Sequence, residues 1–72
     1  MLTTNQLNWI FQKVSEFTNK YQAKWPFKDQ DWIDIQREAI ELHRKSRNNE
    51  LVADMLLNII NYFEMEARKN EQ

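Results

Sequence analysis

Apolar side chains recur along the first part of this chain every three or four residues, the spacing that gathers one stripe on an α-helix. Thr3 and Gln6 stand at the spacing of a capping box, which satisfies free amides in a first helical turn. We therefore predict a first helix over roughly 4–22. Its inward stripe is expected to contain Leu7, Ile10, Phe11, Val14, Phe17 and Tyr21.

The chain's one proline, Pro26, interrupts this pattern. Proline has no amide proton and biases the preceding residue, Trp25, towards an extended conformation. We therefore predict a corner over 23–28. Trp25 and Phe27 are its two bulky rings, and we expect them to fold onto the core as a plug. They are also candidate contacts for a partner.

A second apolar stripe predicts a helix over roughly 30–46, with Asp29 or Asp31 as its cap. Acidic side chains gather at its start and basic ones at its end, which offsets the helix dipole. We expect four residues of this helix to point inward, with two isoleucines beside them. The four are Trp32, Ile35, Ala39 and Leu42, and the two are Ile33 and Ile40.

The third stripe is the longest, and it predicts a helix over roughly 50–68. A polar corner precedes it, in which Asn48 or Asn49 is expected to cap the helix. The polar residues at the end, Asn70, Glu71 and Gln72, are expected to fray. The inward stripe contains Val52, Met55, Leu56, Ile59, Ile60 and Phe63.

Three amphipathic helices with short connections predict an all-α, compact three-helix up-down-up bundle, as one helical domain over 1–72. The chain contains no glycine, which removes the usual residue of tight β-turns and favours helices throughout. In a chain of 72 residues, apolar burial barely offsets the lost chain entropy. We therefore expect association, most simply a homodimer.

Three apolar side chains lie off the predicted stripes. At 100° per residue, Trp9 is about 200° around from Leu7, while Leu57 and Met65 are about 140° and 220° from Val52. Single exposed apolar residues are common and need no special explanation. The alternative is that these three contact a partner or a second copy. Together with the corner rings, they form the predicted partner interface: Trp9, Trp25, Phe27, Leu57 and Met65.

Composition argues against catalysis, metals and cofactors. The chain has no cysteine and one histidine, which excludes thiolate and multi-imidazole metal sites and a cysteine nucleophile. The acidic run over 29–34 lacks the glycine that a calcium loop requires. His43 has Glu41 and Ser46 nearby in sequence, but residues two apart on a helix point away from each other. We expect no catalytic residue, no metal and no cofactor.

Formal net charge is −1, so the chain as a whole does not attract nucleic acid. The basic run over 43–47 is the exception, and Arg44, Lys45 and Arg47 are its candidate phosphate contacts. Residues 48–72 carry five acids and two bases, which would repel DNA from the third helix. The alternative function is therefore a small nucleic-acid-associated regulator that uses the 43–47 patch.

The location we expect is the cytoplasm of a bacterial cell. The start of the chain lacks the basic residues and apolar run of a secretory signal. After residue 50, the longest uncharged stretch is Met55 to Phe63, far short of the ~20 residues that cross a bilayer.

A pattern of acidic, aromatic and apolar positions occupies about half of the chain. It consists of Asp31 and Trp32, Glu38, Leu42, Asn49 to Val52, Met55 to Leu57, and Phe63 with Glu64. This pattern resembles short helical proteins encoded by phages and prophages of low-GC Gram-positive bacteria. The resemblance implies an accessory role, such as binding a host or phage protein to modulate it, and implies no catalytic residues. We predict a non-enzymatic protein-interaction module.

Overall fold

The computed structural model describes residues 1–70, and these form an all-α three-helix bundle, which confirms the predicted fold class. The helices are α1 (Thr4–Gln22), α2 (Asp29–Lys45) and α3 (Glu50–Asn70). The predicted boundaries differ from these by two residues at most. Asn70 still belongs to α3, whereas the predicted fraying of Glu71 and Gln72 falls outside the described residues.

The first helix begins with the predicted capping box. The Gln6 amide donates to Thr3 Oγ1 at 3.1 Å, and the Thr3 amide donates to Gln6 Oε1 at 2.8 Å. The start of α2 differs from the prediction. Lys28 occupies the N-cap position, which we expected for Asp29 or Asp31. Asp31 acts from inside the helix instead, where its Oδ2 accepts from the Lys28 amide at 2.9 Å.

The corner between α2 and α3 contains two residues with left-handed backbone. Arg47 has φ 62° and Asn48 has φ 58°, a region that glycine usually occupies at a helix C-terminus. The Asn48 amide donates to the His43 carbonyl at 2.9 Å and closes the last turn of α2. Asn49 then caps α3, since its Oδ1 accepts from the Leu51 amide at 2.9 Å.

Each helix contacts both of the others, in a body of 44 × 19 × 18 Å. Short corners make consecutive helices antiparallel, so α1 and α3 run the same way. One hydrophobic core lies along their shared axis. Its buried side chains are Ile10, Val14, Phe17, Tyr21, Ile35, Ala39, Val52, Leu56 and Phe63.

The prediction that Phe11 lies on the inward stripe of α1 is wrong, because Phe11 is exposed. Ile33 and Ile40, which we expect beside the inward residues of α2, are exposed as well. Phe11, Ile33 and Ile40 retain 52%, 51% and 60% of their accessible surface. Phe11 is about 90° around α1 from the centre of the buried stripe, and both isoleucines are farther than that from the buried Ile35. The buried stripe is therefore narrower than the apolar pattern.

None of the helices within residues 1–70 combines the length and the apolar character needed to cross a membrane.

Candidate functional site

The two rings of the first corner pack together at one end of the bundle. Phe27 has its ring centroid 5.0 Å from Trp25 and Trp32 and 5.1 Å from Phe63, each in an edge-to-face arrangement. Phe27 is half-buried and packs against the core, as expected of a plug. Trp25 is half-buried as well, and it lines a surface groove with Gln22 and Tyr62.

Trp9 lies at the opposite end of the molecule from these rings. Its side chain is 36% exposed, and it borders a groove formed partly by Arg47 and Asn49 of the second corner. In a bundle of antiparallel neighbours, the two corners stand at opposite ends. Trp9 and Trp25 therefore do not share one surface.

Leu57 and Met65 are exposed on the outer side of α3, at 58% and 57%. Eight residues separate them, which is about 12 Å along the helix axis. Both lie off the α3 stripe, as their helical phase predicts. The structure thus brings Trp25 and Phe27 together, but it does not join all five predicted interface residues in one patch.

Sequence reasoning missed four further exposed apolar residues on the helices. They are Phe11, Ile33, Ile40 and Tyr62, and Tyr62 retains 55% of its accessible surface. The angle of each residue around its helix, measured from the centre of the apolar stripe, indicates that these four are exposed. Of these four, only Phe11 belongs to a predicted inward stripe, and Tyr62 belongs to none.

The groove between α1 and α2 is lined by alternating charges. It encloses about 360 Å³ and has Trp9, Phe17 and Leu42 among its walls. Lys20 Nζ pairs with Glu38 across the two helices. The six charged residues of the groove are Lys13, Glu16, Lys20, Glu38, Glu41 and Lys45, three of each sign.

Tyr21 lies beside this groove in the core. Its side chain is fully buried, and its hydroxyl has no hydrogen-bond partner among the described residues. Burial raises the pKa of Tyr21 well above its ordinary value, and the nearby Glu38 carboxylate raises it further. The Glu38 carboxylate is near enough to attract the proton of the hydroxyl and so raises its pKa, although the two groups do not form a hydrogen bond of normal geometry.

Two of the three candidate phosphate contacts share a groove. Lys45 and Arg47 border a space of about 280 Å³ next to Trp9, and Arg44 is not among its lining residues. Lys45 also lines the charged α1/α2 groove, to which Glu38 and Glu41 contribute. These carboxylates weaken the attraction of the pair for a phosphate.

The hydroxyl and imidazole of the second corner do not form a catalytic pair. The Ser46 hydroxyl donates to the backbone carbonyl of His43 at 2.6 Å and accepts from the Asn49 amide at 3.3 Å. These bonds close the corner between α2 and α3. Within residues 1–70, no group of three or more acidic, histidine or cysteine side chains is arranged to hold a metal ion.

Comparisons of the chain with known protein families, with curated protein sequences and with solved structures find no match.

Proposed function

We propose that this protein is a non-enzymatic interaction module that associates with itself by burying apolar side chains on its outer helix surfaces. The observation that carries the proposal is the distribution of bulky apolar residues. Among the residues that the structure describes, nine apolar ones form the buried core, and nearly as many large ones are exposed. The exposed ones are Met1, Trp9, Phe11, Ile33, Ile40, Leu57, Tyr62 and Met65.

The free energy gained by burying apolar surface supports self-association. Exposed apolar surface gains roughly 25 cal/mol per Å² when a partner covers it. The core within residues 1–70 is small, and Tyr21, Ile35 and Val52 are its most deeply buried side chains. A second copy stabilises such a protein by mass action, because it binds the folded chain and not the unfolded one.

The biological role we propose is that of an accessory protein in the cytoplasm of a bacterial cell, encoded by a phage or prophage. Its apolar surface would bind a host or phage protein and modulate it. Aromatic side chains at the surface serve as anchors in such contacts, with charged residues at the rim.

The test is the mass in solution, measured by light scattering from about 1 µM to about 1 mM, the range of weak to moderate protein affinities. We expect the mass to rise from 8.9 kDa towards twice that value. The association should persist as salt is raised, because apolar burial is not screened. A mass of 8.9 kDa at every concentration would contradict the proposed self-association.

Lys45 and Arg47, which meet at one groove, are the observation behind the alternative, a nucleic-acid-associated regulator. A gel-shift series over salt concentration separates the two functions. Contacts to phosphate weaken steeply as salt rises, whereas apolar association does not. Binding of duplex DNA that disappears at high salt, and in the Arg47→Ala variant, would favour the alternative.

A further inference from the structure

A groove beside the second corner has two cations along its walls. It lies between the start of α1 and the end of α2, and it encloses about 280 Å³. Lys45 and Arg47 supply the charge, and within residues 1–70 no acidic side chain lines this groove. Neither cation forms an ion pair with a described residue, and Glu38 of the adjoining groove pairs with Lys20 instead. We call this positively charged space the corner groove.

The amide side chains of the corner groove offer hydrogen-bond donors to a ligand. Gln6 Oε1 accepts from the Thr3 amide at 2.8 Å, and Asn49 Oδ1 accepts from the Leu51 amide at 2.9 Å. A backbone amide can only donate, so these bonds fix which end of each side chain is the oxygen. The two NH₂ groups donate to no described residue. Ser46, the other neutral polar side chain of the groove, already donates and accepts within the corner.

Arg47 has a backbone conformation that a residue with a side chain disfavours. Its φ is 62°, in a region that glycine occupies without strain. Arginine differs from glycine in its guanidinium group, and Arg47 lines the corner groove. Backbone that costs stability is typical of sites where the side chain has a function. The conformation of Arg47 therefore supports a role for its side chain in binding.

Trp9 gives the corner groove an aromatic wall. Its side chain is 36% exposed, and the apolar side chains of Leu2 and Ile10 lie beside it along the groove. Exposed aromatic side chains stack with the flat rings of ligands, as they do with nucleobases. The corner groove thus combines a wall for a ring with donors for an anion.

We propose that the corner groove binds a phosphate monoester that is attached to a flat ring, of which a nucleoside monophosphate is the simplest form. A phosphate monoester carries a charge of about −1.5 to −2 at pH 7, which matches the two cations of the groove better than the single charge of a carboxylate does. Its terminal oxygens accept hydrogen bonds from cations and amide groups. This inference goes beyond the proposed self-association and does not depend on it.

The size of the corner groove favours a single nucleotide over a duplex. Pockets for small ligands begin at roughly 300 Å³, and this groove encloses about 280 Å³. Duplex binding depends on contacts to several phosphates along the helix, whereas the groove offers Lys45 and Arg47 alone as cations. Arg44, the other arginine of the basic run, is not among its lining residues.

The first arm of the test locates the ligand by its effect on tryptophan. The chain has three tryptophans, and Trp9 lines the corner groove, while Trp25 and Trp32 lie among the aromatic rings at the opposite end. Each indole N–H gives one signal in a proton–nitrogen correlation spectrum, and Trp9→Phe identifies the Trp9 signal by its loss. We expect adenosine monophosphate, added to about 10 mM to cover millimolar affinities, to shift the Trp9 signal alone.

The second arm divides the ligand into its parts. Adenosine has the ring without the phosphate, and inorganic phosphate has the charge without the ring. We expect each to bind at least about tenfold more weakly than adenosine monophosphate, because stacking and charge-assisted hydrogen bonds both contribute to affinity. Equally tight binding of either part overturns the proposed ligand class. Tighter binding of a short adenylate strand with a 5′-phosphate overturns the assignment to a free nucleotide.

The third arm separates binding from stability with a matched pair of substitutions. We expect Arg47→Gly to raise the dissociation constant for adenosine monophosphate at least about tenfold, because a charge-assisted hydrogen bond is lost. The same substitution should stabilise the folded chain, since glycine relieves the left-handed backbone, so that unfolding cannot explain the weaker binding. Arg44→Gln removes an equal charge from outside the groove and should leave the dissociation constant nearly unchanged.

The outcomes decide the proposal independently of self-association. A Trp9 signal that does not move at about 10 mM adenosine monophosphate overturns it. Equal weakening by Arg47→Gly and Arg44→Gln also overturns it, because that result indicates a diffuse attraction to the basic run and no defined site. Neither result changes what the mass of the wild-type chain says about self-association.

Discussion

Tyr21 is a buried side chain placed by packing and not by hydrogen bonding. Its ring centroid lies 5.2 Å from that of Phe17, and the ammonium groups of Lys20 and Lys24 each lie 5.4 Å from its ring centroid. On folding, its hydroxyl loses its hydrogen bonds to water and forms none with the described residues. The ring therefore stabilises the core while the hydroxyl opposes folding.

Tyr21→Phe keeps the ring and removes the unpaired hydroxyl. We expect the free energy of unfolding to rise by about 1 kcal/mol, because a buried hydroxyl without a partner costs about that much. Urea unfolding at neutral pH measures the change. The control is Tyr62→Phe, whose hydroxyl belongs to a half-exposed side chain and should change stability little. A loss of stability in Tyr21→Phe would contradict the assigned cost.

The free energy of unfolding should also decrease at high pH, because of the ionisation of the Tyr21 hydroxyl. Its pKa is raised in the folded state above the ordinary 10.0, so above pH 10.0 the unfolded chain releases this proton while the folded chain keeps it. The unfolded state then binds fewer protons, and the free energy of unfolding decreases as pH rises. Urea unfolding across this range should show a shallower decrease in Tyr21→Phe than in Tyr62→Phe.

Arg47 adopts left-handed backbone with a side chain that disfavours it. Arg47→Gly removes the contact between the side chain and the backbone, and we expect it to stabilise the protein by about 1 kcal/mol. The matched control is Arg44→Gly inside α2, where glycine should cost about 1 kcal/mol. Thermal unfolding should therefore shift in opposite directions for the two variants.

The helices are defined by their ends as much as by their stripes. The Thr3–Gln6 pair begins α1, the Asp31 carboxylate reinforces the start of α2, and Asn49 begins α3. These contacts join residues two or three positions apart. The boundaries were therefore predictable to within two residues from the chain alone.

Asn49→Ala should destabilise the protein by about 1 kcal/mol, because the Leu51 amide loses its acceptor. Asn58→Ala is the control, since Asn58 is exposed in the middle of α3 and alanine is the better helix former there. Chemical denaturation compares the two. Equal effects would show that the Asn49 cap contributes nothing.

At the scale of the whole molecule, a small core is combined with several exposed apolar side chains. The self-association that we propose would make the stability of the protein depend on its concentration. A dimer of the folded chain should melt about 5 °C higher for each tenfold rise in concentration, from the entropy of unfolding of two chains of this size. Calorimetry measures the shift. A melting temperature that does not change with concentration would contradict the proposed self-association.

For the predicted site residues, the sequence predicts exposure but not which of them lie together. Leu57 and Met65 are exposed because their phase departs far from the stripe, which the spacing alone reveals. Trp9 and Trp25 were grouped with them, yet they lie at opposite ends of the bundle. Their separation follows from how the helices are arranged, and no local spacing encodes it.

The number of helices, their ends and the corner at Pro26 follow from the amino-acid order, because caps and stripe spacing act over a few neighbouring residues. Tertiary packing alone decides which flank of each stripe is covered. Lys20 meets Glu38 because of the angle at which α1 and α2 face one another. Helical periodicity specifies the side chains on each helix's apolar side but not the rotation of that side relative to its neighbours.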